Sequence, residues 1–203
     1  MIKWSILILS VPNRLNQLQD LYKNLQSQID KLNLNKQIEV LTLIDNKNLS
    51  IGTKRNKILS LVSGQYCSFL DDDDNVSQDF ISEIWNVISS DSKPDVICFD
   101  QDCNVNNKKF QVNFSLTNEN QPAIMDTNGN YPNAITRKPY HMCVWKSVIA
   151  KNTMFPDTSY GEDLAWLSQL WQRVKTQVKI NKVLHCYEYS DESSESIKRA
   201  KNG

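Results

Sequence analysis

The chain has 203 residues, 40% apolar and 23% charged, which is enough length and ordinary enough composition for one folded domain with a proper core. Lys+Arg and Asp+Glu both number 23, so the net charge is zero. That argues against a strong, sequence-independent grip on nucleic acid, which needs a basic surplus. The five cysteines are odd in number and contain no C-x-x-C pair, so a reducing, intracellular and hence cytoplasmic setting is expected. The apolar run over residues 1–10 is too short for a signal peptide or a membrane span, and polar residues follow at once.

Trp4 to Val11 reads as a buried strand, apolar at nearly every position. Pro12-Asn13 breaks it. Leu15, Leu18, Leu21, Tyr22, Leu25, Ile29 and Leu32 recur at helical spacing and predict a long amphipathic helix. Ile38 to Ile44 reads as a second strand ending at Asp45-Asn46. Ile51-Gly52-Thr53 is expected to turn into a helix over Lys54 to Val62, ended by Gly64. Tyr66 to Leu70 is a third strand, Asp79 to Ile88 a third helix, and Asp95 to Phe99 a fourth strand. Phe110 to Phe114 alternates like one arm of a hairpin. Residues 116–139 are rich in Asn, Pro, Gly and Thr and read as a long loop, a place where function often sits. His141 to Trp145 is expected as a strand before a short helix at Lys146 to Ala150, and Gly161 to Val174 as a firmer helix. Val178 to Ile180 and Val183 to Tyr187 read as two short strands. The tail from Ser190 has little to bury and is expected to be flexible. Strands alternating with helices favour an α/β fold with a parallel sheet and right-handed crossovers.

The chemically odd stretch is Asp71-Asp72-Asp73-Asp74, directly after the third strand. Four adjacent carboxylates repel one another and ionise together only at a cost that a cation relieves. Oxygen ligands suit hard ions such as Mg²⁺ or Mn²⁺. The carboxyl end of a strand is also where open α/β sheets bind ligands. The plain alternative is a solvated acidic turn. An EF-hand does not fit, because the sixth position is Val76 and the twelfth is Ser82. The chain has five glycines, 52, 64, 129, 161 and 203, from which neither G-x-G-x-x-G nor a P-loop can be assembled. A strand followed by D-x-D also resembles a haloacid-dehalogenase phosphatase, though there the motif usually lies on the first strand.

Taken together, the pieces resemble a larger pattern. They are Ser10-Val11-Pro12-Asn13-Arg14, Asp45, Gly52-Thr53-Lys54-Arg55-Asn56, Leu70-Asp71-Asp72-Asp73-Asp74, Gly161-Glu162-Asp163 and His185. Their order and strand-end positions over roughly residues 4–190 resemble a GT-A fold glycosyltransferase of the family 2 type. The Lys54-Arg55-Asn56 helix start and the His141 to Lys146 segment resemble the short glycosyltransferases of phages and large viruses.

The resemblance implies a Rossmann-like, mostly parallel central sheet flanked by helices, with a small antiparallel hairpin in the acceptor region. It implies one catalytic domain over 1–190, with a nucleotide-sugar half over about 1–100, an acceptor half over 101–190 and a flexible tail over 191–203. The activity implied is metal-dependent, inverting transfer of a sugar from a nucleoside-diphosphate sugar, a UDP-sugar first, to a hydroxyl of a glycan, a protein or a modified DNA base. Four acids leave two registers open, Asp71 with Asp73 or Asp72 with Asp74. The family pattern favours Asp71 and Asp73 as ligands of Mn²⁺ or Mg²⁺, joined by His185. Asp163 matches the general base, with Glu162 beside it. Pro12, Arg14, Asp45, Arg55, Asn56 and Asp72 match donor-binding positions, and His141, Trp145 and Arg137 are assigned to the acceptor side. Each has a plain counterpart: a buried strand histidine for His185, a solvated helix residue for Arg55, and acids stabilising a helix N-terminus for Glu162 and Asp163. Trp166 is either a sugar platform or core. A metal-dependent phosphatase or sugar nucleotidyltransferase is the alternative enzyme, with no role for Asp163. A non-catalytic nucleotide-sugar-binding module is the third reading.

Overall fold

The computed structural model describes residues 1–189, so the expected flexible tail lies outside the described residues. Nine strands form one mixed sheet. Its first half is parallel: β1 (Trp4–Ser10) lies between β2 (Ile38–Ile44) and β3 (Tyr66–Asp71), with Trp4 aligned to both Ile38 and Tyr66. The crossovers are α1 (Leu15–Lys31), after a single 3₁₀ turn at Pro12–Arg14, and α2 (Ile51–Ser60). β4 (Asn75–Val76) and α3 (Phe80–Ser89) follow the acids.

The second half is built on β5 (Val96–Val105), which forms an antiparallel hairpin with β6 (Lys108–Phe114). β7 (Ala134–Arg137) adds to β6, and β8 (Val144–Lys146) fits antiparallel between β3 and β5. Then come α4 (Ser147–Ala150), α5 (Glu162–Trp171) and β9 (Gln177–Tyr189). β9 runs parallel to β5 and also holds β4, so the sheet order is β2-β1-β3-β8-β5-β6-β7 with β9 bridging β5 and β4.

The period-two alternation of β3 explains how the core meets the site. Phe69 packs on Phe155 and on Trp166 of α5, while Trp4 sets its indole N–H on Ser68 Oγ at 3.1 Å and its ring against Phe80 of α3. Neighbouring residues on one strand thus feed two hydrophobic layers, one on each face. Burying each such ring contributes about 1.5–3 kcal/mol, so the end of β3 is anchored on both sides. No helix among the described residues is long and apolar enough to cross a membrane.

Four expected boundaries differ. α2 begins at Ile51, because Ser50 Oγ caps it by accepting from Thr53 N at 3.0 Å, so Gly52 lies inside the helix. The helix ends at Ser60, and Gly64 instead allows the chain to pass close to the backbone of Trp4 and Ser5. The loop 116–139 contains β7, whose pairing partner is too distant in sequence for local pattern to reveal. The two short strands expected near the end are one strand, β9, with an irregular register opposite β5 between Cys98 and Gln101.

Candidate active site

The end of β3 and the turn that follows it, closed by Asp74 N on Asp71 O at 3.2 Å, sort the four acids. Asp71 follows Phe69 on the same face of β3, and both contact Arg55 of α2. The guanidinium carbon lies 5.0 Å from the Phe69 ring centroid, and Nη2 is 3.3 Å from Asp71 Oδ1. Asp72 points the other way and is buried. Its Oδ2 accepts from Ser10 Oγ at 2.6 Å and its Oδ1 from Arg14 Nη1 at 2.8 Å. The other arm of Arg14 reaches Asp73 Oδ2 at 2.9 Å. Asp74 is buried, with His185 Nε2 3.1 Å from its Oδ2. Side chains 71 and 73 keep 37% and 26% of their surface, against 4% and 3% for 72 and 74, so only one pair of the four is open to a ligand.

The electrostatics follow this sorting. Burial works to raise Asp71, but His141 and Arg55 outweigh it and hold the carboxyl well below the ordinary range. Burial raises Asp72 despite Ser10 and Arg14. Burial, then the neighbouring charge of Asp71, pushes Asp73 up to about 6 in spite of Arg14. The pair Asp71 and Asp73 is therefore oxygen-only and accessible, and it fits a hard divalent cation. Among the described residues no three His, Cys, Asp or Glu side chains are gathered as a ready-made cage. Mg²⁺-type ions are commonly held by one or two carboxylates with the remaining positions filled by substrate phosphate and water.

His185, expected to join Asp71 and Asp73, has its two ring nitrogens turned to Gln101 and Asp74. Cys103 Sγ donates to Gln101 Oε1 at 3.4 Å, so the Gln101 amide nitrogen donates to His185 Nδ1 at 2.9 Å. The imidazole proton is then on Nε2, which faces Asp74 off the line of a good hydrogen bond. Gln101 and His185 are register partners across β5 and β9, which is why the amide reaches the ring.

The second acidic motif is carried to the first by α2. Asn56 clamps the Phe155 backbone through both amide atoms, at 2.8 and 2.9 Å. Gly52 N donates to Thr158 O at 2.9 Å, and Asp157 Oδ1 accepts from Ser50 Oγ and Thr53 Oγ1. A Cβ on Gly52 would overlap the Pro156 carbonyl oxygen, so close approach of the irregular segment 155–158 requires glycine here. The segment ends at Gly161, whose φ of 72° turns the chain into α5 and presents Glu162 and Asp163.

Glu162 is buried against Arg55, Oε1 to Nε 3.5 Å, and burial raises its carboxyl. Asp163 is more open. Its Oδ2 accepts from the Tyr140 hydroxyl at 2.7 Å, and its Oδ1 from Leu164 N at 2.7 Å. His141 stands between the two motifs, Nε2 3.7 Å from Asp71 Oδ2 and Nδ1 3.8 Å from Asp163 Oδ2.

Several expected contacts are differently employed. Trp145 is fully buried with its indole N–H on Tyr140 O, and Trp166 is core, so neither offers a face to a sugar. Asn56 uses one amide N–H and one lone pair on the Phe155 backbone. Asp45 pairs with buried Lys54 at 2.8 Å and accepts from Leu49 N at 3.0 Å. Burial works to raise its carboxyl, and those partners hold it below the ordinary range. Pro12 is exposed at the start of its 3₁₀ turn, and Arg137 lies on β7 with Nε on Gln121 O at 3.3 Å.

Tyr140 and Gln101 were not singled out from sequence, and Lys54 entered only as part of a motif, with no role of its own. Lys54 had a signal, since it lies four residues before Ile58 on the inward stripe of α2. Tyr140 had none beyond standing next to His141.

Comparisons with known proteins bear on the family and the fold. The model of glycosyl transferase family 2 matches residues 16–151. Nothing among curated proteins matches. Among solved structures, S. aureus TarS 1–349 in complex with UDP-GlcNAc is similar at a TM-score of 0.63 and 14% identity, over 97% of this chain and 61% of that one. The same fragment with UDP gives 0.60 and 15%, over 98% of this chain and 64% of that one. TarS itself gives 0.61 and 15%, over 98% and 39%. The chain thus spans less than two thirds of the TarS chains it resembles, and at such identity the likeness is one of fold: the mixed, largely parallel sheet flanked by helices. With a family match over more than half its length, the chain belongs to glycosyl transferase family 2.

Proposed function

We propose that the chain transfers a sugar from a UDP-sugar to an acceptor hydroxyl, with inversion at the anomeric carbon and with Mn²⁺ or Mg²⁺ bound at Asp71 and Asp73. The observation that carries this reading is His141, one imidazole wide, between Asp71 at the end of β3 and Asp163 on α5. A diphosphate seated at Asp71 and Asp73 would leave its sugar facing Asp163. The bound TarS fragments make UDP-sugars the first donors to test.

A divalent ion there would neutralise charge on the departing diphosphate. The chain's own groups do the rest. Asp163 takes the proton of the acceptor hydroxyl as that oxygen bonds to the anomeric carbon. The bond from the anomeric carbon to the diphosphate breaks, and UDP leaves with the electron pair. Arg55, beside Asp71, supports the diphosphate side with positive charge. Arg14 and Ser10 hold the acidic loop from beneath, and the loop 116–139 with Arg137 borders the acceptor side. A phosphatase or nucleotidyltransferase would leave the approach of Asp163 to this pair without a use.

The test is UDP release from UDP-GlcNAc, UDP-glucose and UDP-galactose with Mn²⁺ and with water as acceptor. Wild type is expected to release UDP from at least one. Asp73→Asn should lose the Mn²⁺-dependent rise in melting temperature with UDP. Asp163→Asn should keep that rise and lose turnover by about 10²–10⁴-fold, the usual scale for a general base. Absence of both UDP binding and UDP release in the wild type rejects the proposal.

A further inference from the structure

We propose that Tyr140 is a positioning residue for Asp163: its hydroxyl fixes the carboxylate that accepts the proton in the transfer reaction. This rests on the reading of Asp163 as the base. Asp163 lies in the first turn of α5, with 22% of its side chain exposed. A carboxylate so placed has rotational freedom that the reaction does not tolerate, since catalytic groups must be held to within about 0.5 Å. Leu164 N fixes Oδ1 at 2.7 Å, and the Tyr140 hydroxyl fixes Oδ2 at 2.7 Å. With one donor on each oxygen, the carboxylate plane is set and a second lone pair on each oxygen remains for a hydroxyl.

Tyr140 is itself held from four sides. Its ring stacks on Phe114 of β6 with centroids 6.4 Å apart and planes 29° apart, and it leans on His141 at 5.0 Å. Its carbonyl accepts from Trp145 Nε1 at 3.1 Å and from Cys143 N at 3.0 Å. The phenol therefore carries the rigidity of the β6 and β8 region to a side chain on α5. Burial, and then the charge of Asp163, push the phenol far above its ordinary range, so it remains a donor wherever the protein is folded. Glu162 and His141 also face Asp163, but Glu162 is turned to Arg55 and His141 Nδ1 stands at 3.8 Å, beyond hydrogen-bond reach.

Tyr140→Phe keeps the ring and its stacking and removes only the hydroxyl. With UDP-GlcNAc or whichever tested UDP-sugar the wild type hydrolyses, kcat is expected to fall about 10-fold to 100-fold, the worth of one hydrogen bond to a charged group. The donor KM should stay within about twofold, because uniform binding is untouched. An unchanged kcat overturns the proposal, and so does a loss of kcat with an equal rise in KM. Melting of Tyr140→Phe, Asp163→Ala and the double variant gives a second readout. Non-additive melting shifts are expected, and additive ones overturn the contact. If the wild type releases UDP from none of the sugars, the donor assignment fails, and the melting cycle decides the Tyr140 contact by itself.

Discussion

Arg55 and Glu162 form the buried joint between the two acidic motifs: Arg55 Nε lies 3.5 Å from Glu162 Oε1, and its Nη2 lies 3.3 Å from Asp71 Oδ1. Both side chains are almost wholly buried, and the guanidinium lies over the rings of Phe69 and Phe155. Removing one member of such a pair leaves a buried charge behind and costs about 3–5 kcal/mol. Arg55→Met should approach that loss, limited by proton uptake on Glu162, whose carboxyl burial already raises. Arg55→Met with Glu162→Gln should recover part of it, because the buried Glu162 charge is then gone and only the more open Asp71 lacks its arginine. Urea unfolding of the three proteins measures this, and equal stability of the single and double variants contradicts the pairing.

Gly52 is the contact point between α2 and the segment that leads to Glu162. A methyl group at 52 meets the Pro156 carbonyl oxygen, so the helix and the segment must move apart. Gly52→Ala is expected to cost about 1–3 kcal/mol, the range for overpacking, despite alanine's better helix propensity. Activity should fall further than stability alone explains, since Asp157, Thr158 and Phe155 all tie that segment to α2. Ser60→Ala on the same helix, exposed and far from the segment, is the control. Thermal melting and UDP release in parallel give the two numbers.

Legibility divides along physical lines. β1, α1, β2 and β3 were readable because each carries a periodic apolar pattern of sufficient length. β7 was hidden, since its pairing with β6 depends on residues more than twenty positions away rather than on its own four. The acids were legible as a group, and the parity of β3 puts Asp71 on the side of Phe69, but Asp72 to Asp74 lie past the strand in a turn, where period-two alternation does not apply. What Trp145, Asn56 and His185 do was not legible. A tryptophan, an amide or an imidazole reads the same in sequence whether it meets a ligand or a neighbouring strand. Register across β5 and β9 pairs Gln101 with His185, a partner that its own stretch of sequence does not reveal.

Glu39 gives the fold a pH dependence outside the site. Its Oε1 accepts from Ser5 Oγ at 2.6 Å, Ser63 Oγ at 2.7 Å and Ser63 N at 3.0 Å. Burial works to raise the carboxyl, but these donors outweigh it and hold it below its ordinary value. A depressed folded value means stabilisation that is complete above the unfolded pKa and is lost as pH falls through the folded one. Glu39→Gln should therefore melt below wild type at about pH 7, with the gap closing toward about pH 3. A gap that stays constant with pH shows that the charge contributes nothing.

Asp74 and His185 supply the last test, because their pairing separates a supporting role from a ligand's. Both are buried, and His185 is held from behind by Gln101. Asp74 also has an Oδ1 without a hydrogen-bond partner, so it has little to fall back on. His185→Leu removes the facing N–H and leaves the carboxylate buried without it, and about 1–3 kcal/mol of stability should go with it. Adding Asp74→Asn should return part of that loss, since a neutral amide is far cheaper to leave buried than a charge. If His185 acts only by holding Asp74, Gln101→Leu should also weaken the pair, by about 1–3 kcal/mol, the cost of a buried nitrogen left without its donor. The Mn²⁺-dependent stabilisation with UDP should survive Gln101→Leu within about twofold in metal affinity. A collapse of metal affinity in His185→Gln with unfolding stability intact would instead identify the imidazole as a ligand.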